Sequence, residues 1–88
     1  MNKYVQPRPY ADPDVAARKI LEIANSLEPY MDGRLLIELI NGPMLFQEKA
    51  TPAEYKAGLD RCIEKGWLEL HESGTFVRFT KAGAAPFA

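Results

Sequence analysis

The chain is poor in the residues from which small proteins build reactive sites. Among 88 residues it has one cysteine, Cys62, and one histidine, His71. It can therefore close no internal disulfide and supply no multi-cysteine or multi-histidine zinc site. No Gly-rich phosphate loop, Ser/His/Asp set or pocket-forming carboxylate pair is present, so no catalytic residue, cofactor or metal is expected. There is no apolar run of about 18 residues to cross a membrane, and the opening MNKYVQPRPYADPD has none of the apolar core of a secretion signal. A cytoplasmic protein with no membrane partner is the expectation, and a reducing compartment suits the lone thiol. An excess of charge is missing too. Eleven basic residues against twelve acidic ones leave a net charge of −1, so bulk electrostatics give no push toward nucleic acid.

What is present is an ordinary globular composition, 47% hydrophobic and 26% charged, which argues against disorder. A chain this short buries roughly 60 to 65% of its unfolded surface, so nearly every apolar residue is needed for one core. A single domain over 12–88 is expected, preceded by an arm over 1–11. Pro7 and Pro9 around Arg8 make that arm extended or loosely attached.

Local signals organise the rest. Asp12-Pro13-Asp14 predicts a helix start: a side-chain cap, a proline pre-set for the first position, and an acid at the positive end of the dipole. Ala16, Ile20, Ile23, Ala24, Leu27 and Met31 form its apolar stripe, and Pro29 ends it near Leu27 or Glu28. Val15 and Leu21 lie off that stripe, available to widen the buried face or to meet a second subunit. Residues 32–50 fit two periods. Leu35, Ile37 and Leu39 alternate as in a strand, whereas Leu35, Leu36, Leu39 and Ile40 suit a helix stopped at Asn41-Gly42-Pro43. The reading adopted is a strand over 34–40 and a short helical turn over 43–48.

Thr51-Pro52-Ala53-Glu54 has the spacing of a capping box, and Tyr55, Leu59, Cys62 and Ile63 form the stripe of the next helix, ended by Gly66. The period then changes. Trp67, Leu68 and Leu70, and after a turn at 71–75 Phe76, Val77 and Phe79, read as a hairpin. Thr80 caps a short final turn, and Phe87 is expected to fold back on the core.

The run LDRCIEKGWLEL, a short turn and FVRFTKAG resemble the second half of the winged helix-turn-helix domains of MarR- and PadR-type regulators. The matching positions are Leu59, Cys62 or Ile63, Gly66, Trp67, Leu68, Thr80 and Gly83. The likeness covers about 51–83 well and 13–50 loosely. It implies an α+β winged-helix-like domain of about three helices with a C-terminal β-hairpin wing. It also implies a small DNA-binding or transcription-associated protein with helix 52–65 laid in a major groove. The same scaffold serves as a protein-interaction module with no DNA binding, which is the alternative.

The candidate contact residues are Lys56, Ala57, Gly58 and Arg61 on the helix, Arg78 and Lys81 near the wing, and Lys3 and Arg8 on the arm. Partners are double-stranded DNA, weakly held by a monomer, or a protein partner or homodimer. Charges on the helix cancel, and Glu69 and Glu72 make the wing acidic, which weakens phosphate contact. For Cys62 the expected role is a small hydrophobe, and for Trp67 and Phe79 core packing. Gly58 serves either a close helix crossing or the approach of a partner.

Overall fold

A computed structural model describes residues 8–29 and 33–87; Lys3 and Met31 lie outside them. The order is α1 (Pro13–Ser26), β1 (Leu35–Leu36), α2 (Glu38–Gly42), a wider π-type turn (Pro43–Gln47), α3 (Pro52–Glu64), β2 (Leu68–Leu70), β3 (Phe76–Phe79) and α4 (Lys81–Ala84). Among the described residues the fold is α+β, with four helices and one three-stranded antiparallel sheet of order β1-β3-β2. The final turn is a short helix in its own right, one more than the three expected.

Helix α1 starts as its sequence dictates. Asp12 Oδ1 accepts from the Asp14 amide at 2.9 Å, and Pro13 occupies the first position, so an orphan donor of the first turn is satisfied. Its buried side is Ala16, Ala17, Ile20, Leu21 and Ala24, while Val15 stays exposed. Leu21 therefore widens the core face. The small residues matter most where α3 crosses. Gly58 is buried there, and a Cβ added to it would lie 2.6 Å from the Ala16 Cβ. Of the two roles open to Gly58, close helix packing is the one it performs, and this removes it from the exposed surface. Beside it the Cys62 thiol donates to the Ala17 carbonyl at 3.5 Å and is pushed up to about 12 by burial, consistent with an unreactive packing group.

The middle segment departs from the expected strand over 34–40. Only Leu35 and Leu36 are strand, paired with Val77 and Phe76 of β3. Ile37 makes the last sheet-side bond, its amide donating to the Thr75 carbonyl at 2.9 Å, and then accepts from Ile40 and Asn41 as α2 begins. Burial decides the matter. A helical turn puts Ile40 and Met44 inside together, four residues apart and fully buried, at about 1.5 to 3 kcal/mol of transfer free energy each. The same period turns Leu39 and Phe46 outward. Asn41-Gly42-Pro43 is no stop, because Pro43 keeps helical angles of φ −57 and ψ −42. Having no N–H, it loosens the ladder, and Glu48 bonds back five residues to the Pro43 carbonyl at 2.8 Å. Lys49, at φ 62, then turns the chain out.

Helix α3 has the full capping box. The Glu54 amide donates to Thr51 Oγ1 at 3.1 Å, and the Thr51 amide donates to Glu54 Oε1 at 2.8 Å. It ends with Gly66 at φ 74 and with the Trp67 amide bonded to the Cys62 carbonyl at 2.8 Å, a Schellman closure. Strands β2 and β3 pair Leu68 with Phe79, Glu69 with Arg78 and Leu70 with Val77. Thr80 caps α4 by accepting from the Gly83 amide at 3.0 Å. Gly83 sits so close to the Trp67 backbone that a Cβ there would overlap the Trp67 carbonyl oxygen. Phe87 packs edge-on against Phe79, ring centres 6.0 Å apart, and remains partly exposed.

Candidate interaction surface

The outward side of α3 carries Lys56, Ala57, Asp60 and Glu64, with Arg61 half-buried at its edge. Each cation of the candidate set on this helix is already paired. Lys56 Nζ lies 2.9 Å from Asp60 Oδ2, one turn further along. Arg61 reaches back to α1, its Nη1 2.7 Å from Asp14 Oδ1, while its Nε is 3.7 Å from Glu64 Oε1. Ala57 is exposed between them and Gly58 faces α1.

Arg8 is committed as well. Its guanidinium grips Glu54 with two bonds, Nε to Oε2 at 2.7 Å and Nη2 to Oε1 at 2.9 Å, and also donates to the Lys49 carbonyl at 2.9 Å. This fork geometry is the strong form of the carboxylate pair. It holds the Glu54 carboxyl down at about 2, helped by the Thr51 amide. Two residues on, Tyr10 is buried and donates to Glu48; burial first, then that carboxylate, pushes its phenol up to about 12. Residues 8–11 are thus docked on the domain, and the rest of the arm expected over 1–11 lies outside the described residues.

Arg78 and Lys81 belong to other elements. Arg78 is exposed on β3 opposite Glu69, and Lys81 is exposed in the first turn of α4. At the hairpin the Arg34 guanidinium sits 4.7 Å above the Phe76 ring, and His71 meets that ring edge-on at 6.2 Å. His71 Nδ1 also accepts from the Ser73 amide at 3.1 Å, so the histidine organises the turn. Glu69 and Glu72 are exposed beside it.

Sequence spacing reveals only the pairs within α3, Arg61–Glu64 three residues apart among them. Lys56 and Asp60 are four residues apart on a helix, whereas Arg8–Glu54 and Arg61–Asp14 join residues 46 and 47 apart. Among the described residues no helix is long and apolar enough to cross a membrane, and no group of three His, Cys, Asp or Glu side chains is arranged to hold a metal ion. No protein-family model matches the chain, and no curated protein or solved structure matches it either.

Proposed function

We propose that this chain is a winged-helix module whose partner is another protein and not duplex DNA. Support for the scaffold comes from the order helix, strand, helix, helix, strand, strand, with the first strand paired to the last. It is joined by a capped α3 that keeps one face exposed and by a hairpin set directly after it.

Support for the partner rests on a single observation. Arg8, Lys56 and Arg61, the described candidate cations of the arm and of the outward face of α3, are each closed on a carboxylate of the same chain. Binding a phosphate there would first break an existing pair and leave Glu54, Asp60 or Asp14 facing the DNA. The gain from counterion release falls accordingly.

Fluorescence anisotropy of random duplex DNA, titrated with the protein at low and at raised salt, tests the reading. The expected result is no saturable binding at low salt. Measurable affinity that falls steeply with salt, and that weakens in Lys56→Ala and Arg61→Ala, would overturn it in favour of a DNA-binding, transcription-associated protein.

A further inference from the structure

A groove of about 600 Å³ runs between α1, the C-terminal end of α3 and α4. Leu21, Trp67 and Phe87 give it a mostly apolar lining, and Asp14, Arg18, Glu22 and Lys65 stand along its edges. The two signs of charge are not in the same state. Asp14 is held by Arg61 at 2.7 Å and Glu22 by Lys19 at 3.3 Å. Arg18 and Lys65 are exposed and form no ion pair among the described residues. The groove therefore presents apolar surface edged by four charges, of which Arg18 and Lys65 are the two outside any ion pair among the described residues.

We propose that this groove docks an acidic amphipathic segment of a partner protein, apolar side chains against Trp67 and Phe87 and carboxylates on Arg18 and Lys65. This rests on the reading of the chain as a protein-interaction module and names its surface and the chemistry of its partner. The apolar lining offers a nucleic-acid backbone nothing, whereas an amphipathic helix lays apolar anchors into a groove at spacings of three and four residues. Cations at the edge steer an acidic partner in and reject a basic one.

Trp67 is the only tryptophan in the chain, so its emission reports occupancy directly. The probe is a synthetic peptide of about 14 residues with Leu or Phe at i, i+3, i+4 and i+7 and Glu at its remaining positions. Titration into the full chain should give a saturable change in Trp67 emission, and a sister peptide with Lys replacing every Glu should give none. Arg18→Glu and Lys65→Glu, both at exposed positions, should keep the wild-type circular dichroism and each weaken binding about tenfold. Absence of saturation at millimolar peptide, equal binding of the Lys peptide, or unchanged affinity in both variants overturns the proposal. So does concentration-dependent self-association that Arg18→Glu abolishes, which would assign the groove to a second copy. DNA anisotropy on the same samples separates the two readings. DNA binding together with peptide binding sinks the proposed function and leaves the groove; binding of neither sinks the groove and leaves that function.

Discussion

The seam between α1 and α3 and the hairpin between β2 and β3 each depend on a glycine, for opposite reasons. Gly58 has helical backbone angles that any residue adopts, but Ala16 occupies the space where a side chain would go. Gly74 has open space where a Cβ would stand, with nothing within 4 Å, but its φ of 74 lies in the left-handed region. At the seam the chain needs absent volume; at the turn it needs backbone freedom. Crowding between two packed helices can be relieved only by moving them apart, whereas strain in an exposed turn is local and bounded.

The largest effect should follow Gly58→Val. A branched side chain forced against Ala16 and Ile20 overpacks the seam, at a cost of about 3 kcal/mol with little offset from helix propensity. Urea denaturation reads this as a lowered midpoint at unchanged slope. Ala16→Gly in the same chain should restore part of the loss, and strict additivity of the two changes would mean that the helices do not meet there. Gly74→Ala should cost less, about 1 kcal/mol. Gly74→Asn should cost less again, since asparagine tolerates left-handed angles. Equal losses at the two glycines would erase the distinction between crowding and strain.

The same contrast explains what is legible from the residues alone. Caps and turns are written locally: Asp12-Pro13, Thr51 to Glu54, Gly66, Gly74 and Thr80 each act within a few residues, and each forms the element its neighbours imply. Residues 34–47 are different, because Leu35 and Leu39 fit both periods, with Ile37 completing a strand and Leu36 and Ile40 completing a helix. Tertiary context makes the choice: partnership with β3 ends at the Ile37–Thr75 bond, and coiling into α2 buries Ile40 and Met44. The surface obeys the same rule. Lys56–Asp60 is visible in the spacing, but the pairing of Arg8 with Glu54 and of Arg61 with Asp14 exists only once α1 and α3 are packed. The groove likewise needs three separate elements brought together, so no local pattern announces it. Charge counting alone therefore describes the α3 face correctly as neutral while leaving unstated which cations remain available.

The smallest effect of the three concerns the docked arm, where Arg8 meets Glu54 at the start of α3. Arg8, and after it the Thr51 amide, lowers the Glu54 carboxyl from 4.5 to about 2 in the folded chain. The folded state thus prefers the charged form, and the stability this supplies is complete above the unfolded value near 4.5 and is lost as pH falls toward 2. Glu54→Gln keeps a side chain that can complete the capping box, removes the charge and replaces one of the two oxygens that accept from Arg8 with a donor. Thermal melts of both proteins should differ most at neutral pH, and the gap should close as pH is lowered through about 4 to 3. Because Arg8 is open to solvent, the gap should stay below that of either glycine change. A gap that persists unchanged at low pH would mean that Arg8 does not hold this carboxylate. Arg8 would then be available at neutral pH for an external anion, and the arm would return as a candidate phosphate contact.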